Sequence, residues 1–283
     1  MRVDFTGTIG AIFLCIVPWL STDVRAETAS EWVTTDQSRI RLISEYDGTK
    51  GQDTLLLGLQ VQLQKGWKIY WRSPGDAGIP PQFDWNGSQN LKKASVQWPL
   101  PEQFDVFGLA TWGYHDEVLY PIKMELVEPG NPLFVKLHLF FGICEQICIP
   151  YEHEFILELG AMTGAPSKYA TLIKDSIMKV PLSIGDSSNS LIASAEAVAL
   201  DGLNFRVTAT SGHQLEAPGI FVEGMEGSYF SLKSTSLSQN GHSVEFVLTA
   251  DFPEKADMIA GQNITVTIFD KGTGSEGALR VAK

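Results

Sequence analysis

The chain has 283 residues, a formal net charge of −12, 44% apolar residues and three cysteines. Its acidity argues against nucleic acid and anionic membrane surfaces as partners, since both repel a polyanion. The apolar fraction is that of a globular protein, and no stretch reaches the about 20 apolar residues of a spanning helix.

Residues 1–26 read as a signal peptide. Arg2 opens a weakly basic start, Ile9 to Leu20 is apolar, and Val24-Arg25-Ala26 offers small residues at the positions a signal peptidase inspects. Leu14 before Cys15 does not match a lipoprotein cleavage site. Cutting after Ala26 leaves roughly 257 residues, enough for two modest domains. The mature chain is expected to be exported, without a membrane span, in a space where disulfides persist.

The next 130 or so residues read as short strands. Thr54 to Leu63 alternates in its second half, Lys65-Gly66 punctuates, and Trp67 to Trp71 resumes a strand-like run. Ser73 to Pro81, with its glycines and prolines, reads as a long turn that no regular element accommodates. Phe83-Asp84-Trp85, Ala94 to Trp98, Leu119 to Leu126, Leu133 to Phe141 and Glu152 to Leu159 continue the strands. Five of the seven tryptophans lie between Trp67 and Trp112, and neither Trp nor Cys occurs beyond residue 160, which places any chemistry in the first half. Residues 166–180 differ: Ser167 can cap a helix, and Tyr169, Leu172, Ile173 and Ile177 recur at helical spacing until Pro181. That helix is expected between two β domains. Asp186 to Ser190 is a polar linker, and Asn204 to Ala209, Gly219 to Glu223, Val244 to Thr249 and Ile264 to Phe269 are further strands. The chain is therefore read as all-β: an N-terminal β-sandwich at 27–162, helix and linker at 163–189, and a second, smaller β-sandwich at 190–283.

Cys144-Glu145-Gln146-Ile147-Cys148 holds the two cysteines of the mature chain. Fully extended, they would stand about 13 Å apart at ~3.3 Å per residue, beyond the ~4.4–6.8 Å that a disulfide requires. A bonded pair therefore needs a chain reversal. Flanking strand patterns favour a β-hairpin with the cysteines across its end, Gly142 and Pro150 helping to terminate the strands; a single helical turn is the alternative. The neighbours in sequence are Glu145, Glu152 and Glu154, and carboxylates disfavour a thiolate. Closing so short a loop stabilises by only about 2 kcal/mol in the chain-entropy picture, which weakens a purely structural clip.

Phe141 to Pro150, together with Tyr70 to Pro81 and Phe83-Asp84-Trp85, resembles the periplasmic N-terminal domain of DsbD and ScsB thiol:disulfide interchange proteins. The likeness covers roughly residues 30–160 and is closest to the ScsB-like branch, which the C-x3-C spacing fits. The resemblance implies an immunoglobulin-like sandwich, a periplasmic location and a redox pair at Cys144 and Cys148, with Cys148 as nucleophile and Cys144 as resolving thiol. It implies electrons received from a membrane thiol–disulfide transporter and passed to a periplasmic thioredoxin-fold protein, which is activity of the protein-disulfide reductase type with no cofactor and no metal. Tyr70 falls where the family has an aromatic beside the pair. Phe104 to Gly108 resembles its cap loop, with Phe107 as the first choice for the shielding ring, Phe104 the second, and Asp105 as an acidic neighbour.

Two other classes compete. A C-x3-C pair with His138 or His153 could bind Cu(I), which favours thiolates; two cysteines supply only half a structural zinc site. Alternatively, the chain is an interaction module whose disulfide merely clips a hairpin.

Overall fold

The computed structural model describes residues 27–283 apart from Asp76, Phe107, 187–188 and 253–257. The expected signal peptide, Cys15 and the ring of Phe107 lie outside the described residues.

Two pairs of sheets follow one another along the chain. The first is built from β1 (Val33–Thr34), β2 (Ser38–Ser44), β3 (Thr54–Leu63), β4 (Lys68–Gly75), β5 (Gln82–Asp84), β6 (Leu91–Val96), β7 (Glu102–Val106), β8 (Leu109–His115), β9 (Glu117–Leu126), β10 (Leu133–Cys144) and β11 (Cys148–Leu159). One sheet has the order β1-β2-β3-β9-β6; the other runs β11-β10-β4-β8-β7, with β5 also pairing with β10. Helix α1 (Ala170–Ile177) leads to β12 (Leu182–Ser183), β13 (Ser194–Ala199), β14 (Asn204–Thr210), β15 (Gly219–Glu223), β16 (Tyr229–Leu237), β17 (Ser243–Asp251), β18 (Asn263–Asp270) and β19 (Thr273–Arg280). These form the sheets β12-β19-β18-β15 and β13-β14-β17-β16. The architecture is the expected one: all-β, sandwich, helix, second sandwich. Among the described residues no helix is long and apolar enough to cross a membrane.

The alternation of apolar residues decides which face each strand buries. On β10, Leu133, Val135, Leu137, Leu139, Phe141 and Ile143 point inward and are essentially inaccessible. They meet Leu57, Leu59, Val61, Tyr120, Ile122 and Met124 of the facing sheet. Lys136, His138, Gly142 and Cys144 consequently lie on the outer face. The second core is built the same way around Phe205, Val207, Phe246, Val266 and Ile268.

Three local expectations are corrected. The helix starts at Ala170, not at Ser167, whose hydroxyl instead donates to the Ser44 carbonyl at 2.5 Å and accepts from the Tyr169 N–H at 3.0 Å. Its buried side chains are Ala170, Ile173 and Ser176, and it packs on β9 and β3 of the first sandwich. Secondly, β4 continues through Ser73-Pro74 to Gly75, because its ladder with β8 breaks between Tyr70 and Gly75 and so spares Pro74 a central pairing. Thirdly, Gly142 and Pro150 do not end strands: they face each other within the ladder. Pro150 is tolerated because β11 is an edge strand.

Candidate functional site: a cysteine pair at a hairpin end

Strands β10 and β11 form an antiparallel ladder from Leu133↔Leu159 to Cys144↔Cys148, without a bulge. The three residues Glu145, Gln146 and Ile147 close it. The cysteines are bonded to each other with a Cα–Cα distance of 4.1 Å, near the ~4.5 Å of a non-hydrogen-bonded cross-strand pair. The ladder itself thus delivers the two sulfurs to each other.

The pair is asymmetric. Cys144 is 2% exposed, whereas Cys148 is exposed at the start of the edge strand. Attack by or upon a partner sulfur is therefore open at Cys148 and closed at Cys144.

Tyr70 reaches the pair from β4. Its ring is 1% exposed, and its hydroxyl donates to Cys148 Sγ at 3.7 Å. Burial raises the Tyr70 pKa, so this hydroxyl stays protonated and remains a donor at neutral pH. A hydrogen bond to the charged form of a thiol favours that form. After reduction Tyr70 is therefore placed to stabilise a Cys148 thiolate.

Gly78 lies against this tyrosine, and Ile79 beside it lies against Gly142 of β10. A methyl group at Gly78 (φ +128°) would lie 2.6 Å from the Tyr70 ring, and one at Gly142 would lie 2.6 Å from Ile79 Cβ. The glycines allow the 77–81 segment to lie directly on Tyr70 and on the outer face of β10, two residues before Cys144. In the sequence this segment reads as a turn and as part of the family resemblance; apart from the two glycines nothing in it signals a cover.

The acidity argument from neighbouring carboxylates is altered by the fold. Glu152 bonds His138 Nε2 at 3.0 Å and Glu154 bonds Lys136 Nζ at 2.9 Å, so both charges have partners farther up the hairpin. Lys68, remote in sequence, is the cross-strand partner of Cys144 on β4. Glu145 turns toward the β3–β4 turn at Gly66.

The β7–β8 hairpin holds the remaining candidates. Phe104 packs edge-on against His115 at 6.0 Å, and Lys68 Nζ stands 5.2 Å from its ring centre. Its ring thus adjoins the strand that flanks Cys144. Asp105 is exposed, and its carboxylate accepts the Gly108 N–H at 3.0 Å, fixing the hairpin turn. His115 bridges Asp116 (2.7 Å) and Glu102 (2.9 Å). The hydrogen bond from Asp116 leads the causes that raise its pKa, against a smaller loss from burial.

The histidines of the copper reading stand apart from the sulfurs. His138 lies six residues from Cys144 along β10 and His153 five from Cys148 along β11, roughly 20 and 17 Å at ~3.3 Å per residue. His153 also faces inward, stacked on Tyr151 at 6.0 Å. Among the described residues no three His, Cys, Asp or Glu side chains gather in a metal-binding cluster.

Comparisons with known proteins agree with this geometry. Residues 42–160 match the family model of the N-terminal domain of thiol:disulfide interchange protein DsbD, and residues 179–283 match a domain of unknown function (DUF8393). The crystal structure of the N-terminal periplasmic domain of ScsB from Proteus mirabilis is similar in fold, with TM-score 0.70 and 24% identity, covering 90% of this chain and 99% of that one. The C-terminal domain of the AgI/II polypeptide BspA from Streptococcus agalactiae aligns at 10% identity over 82% of this chain and 93% of that one, with a TM-score of 0.18. No curated protein matches the chain.

Proposed function

We propose that this protein, which carries a DsbD/ScsB-type N-terminal domain, is a periplasmic thiol–disulfide exchange protein. It relays electrons from a membrane dithiol transporter to thioredoxin-fold or other disulfide-bearing proteins. The observation that carries the reading is the pair itself: one sulfur buried, the other exposed, with a buried tyrosine hydroxyl 3.7 Å from the exposed one.

In the reduced state the Cys148 thiolate attacks one sulfur of a partner disulfide. A mixed disulfide forms, and the partner's other sulfur leaves as a thiolate. The Cys144 thiolate then attacks Cys148 Sγ, re-forming the Cys144–Cys148 bond and releasing the partner as a dithiol. Two electrons have moved to the partner, and a membrane dithiol of higher reducing power restores the pair. Tyr70 beside Cys148 assists the thiolate that attacks the partner.

The test is trapping in the periplasm. Cys144→Ala should accumulate a mixed disulfide through Cys148 with a thioredoxin-fold partner, and Cys148→Ala should accumulate none. If neither variant captures a partner and the pair's potential lies far below about −300 mV, the bond is a structural clip and the relay is wrong.

A further inference from the structure

The second sandwich touches the first at the strand that carries Tyr70. Arg72, two residues along β4, extends out of the first sandwich to Glu223 of β15 and Glu276 of β19. Its Nε donates to Glu223 Oε1 at 2.9 Å and its Nη2 to Glu223 Oε2 at 2.5 Å; Nη2 also donates to Glu276. Thr267 Oγ1 donates to Glu276 Oε2 at 3.0 Å, orienting that carboxylate. The guanidinium lies 4.4 Å from the Trp71 ring centre, and its side chain is 25% exposed. Beneath it, Trp71 and Trp112 both pack on Phe221 of β15, at 5.7 and 5.5 Å, and Phe221 stacks on Phe269 of β18 at 4.5 Å.

This contact falls where β4 has lost its own ladder. Lys68, Ile69 and Tyr70 pair with His115, Tyr114 and Gly113, but the next pairing is Gly75 with Thr111. The ladder with β10 covers only Lys68 and Ile69. Tyr70 is thus the last residue in register before an interruption, and the residues that follow it are held by the second sandwich instead. A bidentate arginine between two carboxylates has a fixed geometry. Removing it strands charges that are largely withdrawn from water.

We infer that the second sandwich is a positioning element of the redox pair: Arg72, clamped by Glu223 and Glu276, fixes β4 so that the Tyr70 hydroxyl stays on Cys148 Sγ. Arg72 is a positioning residue, acting through Tyr70. The inference rests on the proposed exchange chemistry at Cys148 but not on any partner. It gives the C-terminal half a role in that chemistry.

The experiment is a double-mutant cycle on the reduced full chain, reading the rate of exchange with oxidised glutathione together with the thiolate titration by ultraviolet absorbance. Arg72→Met alone should slow exchange at neutral pH by about fivefold, within the range of couplings between neighbouring residues, and raise the apparent pKa of Cys148. In a Tyr70→Phe background the same change should alter the rate less than about twofold. Equal effects in both backgrounds, or an unchanged rate with Tyr70 present, would overturn the inference. Glu223→Gln keeps volume and fold while removing the bidentate acceptor charge, and serves the same cycle if Arg72→Met does not fold. Because glutathione is the probe, failure to trap a periplasmic partner would sink the relay and leave this cycle readable.

Discussion

Gly142→Ala is the sharpest test of the cover over the redox pair. The added methyl would sit 2.6 Å from Ile79 Cβ and 3.2 Å from its Cγ1 and Cδ1. Carbon atoms settle at about 3.5–4.0 Å, so one side must yield by about 1 Å. The β10 backbone is locked between β11 and its neighbours in a twelve-residue ladder. The 77–81 segment has no ladder, so it is the part that moves. Overpacking of this kind costs about 1–3 kcal/mol, and a movable segment puts the expected loss near the lower end. Moving Ile79 also uncovers the outer face of β10 two residues before Cys144, so the Cys144 sulfur, closed in the parent chain, should become reactive toward a bulky disulfide reagent. Urea unfolding of the oxidised protein and the rate of reaction after reduction are the assays. In an Ile79→Gly background, which removes the Cβ at 2.6 Å, the Gly142→Ala methyl should cost much less stability, a coupling that two independent changes would not show. Additive losses in the double variant, or an unchanged reaction rate, would show that Ile79 is not the cover.

Further outcomes follow from the same geometry. Reducing Cys144–Cys148 should lower stability by only about 2 kcal/mol, measured as a urea-midpoint shift with unchanged slope; a collapse of the transition would mark the bond as structural. The two histidines flanking the site region should titrate in opposite directions from the ordinary 6.5. The Asp116 hydrogen bond leads the causes that raise His115, so its stabilisation is fully present below 6.5 and is lost as pH rises through the higher folded value. Burial lowers His153, so stability present above 6.5 falls as pH drops through 6.5 toward the lower folded value. Imidazole proton shifts in Asp116→Asn should show His115 returning toward 6.5 while His153 stays below it; a low His115 in the parent chain would refute the bridge.

The sequence makes the strands legible because apolar alternation records burial directly. Thr54–Leu63 and the inward set Phe155, Leu157, Leu159 are readable for that reason, and strand reach requires a reversal between Cys144 and Cys148 if they are bonded, with a hairpin favoured over a helical turn by the flanking strands. What it hides are relations between strands distant in the chain. Nothing near residue 144 indicates that Lys68 is its cross-strand neighbour. Gly142, two residues before Cys144, reads as a terminator, yet its lack of a side chain admits Ile79, a contact across more than sixty positions. Nothing around Arg72 in the sequence points to Glu223 and Glu276, which the fold brings to it.

The hairpin also bears on whether the bond is a clip or a device. A clip is useful where the chain would otherwise separate, but here eleven further cross-strand pairs hold β10 to β11 behind the cysteines. The Cα spacing of 4.1 Å is close to what an antiparallel ladder imposes on a non-hydrogen-bonded pair without covalent help. Opening the bond therefore leaves the two thiols facing each other, and the oxidised and reduced forms differ little beyond the sulfurs. A pair that must cycle needs that economy of motion, because reorganisation in either state would slow both attack and resolution. Burial then distinguishes the two sulfurs: Cys144 is closed off and Cys148 is open beside Tyr70, so in the proposed relay the exchange with a partner goes through the Cys148 sulfur.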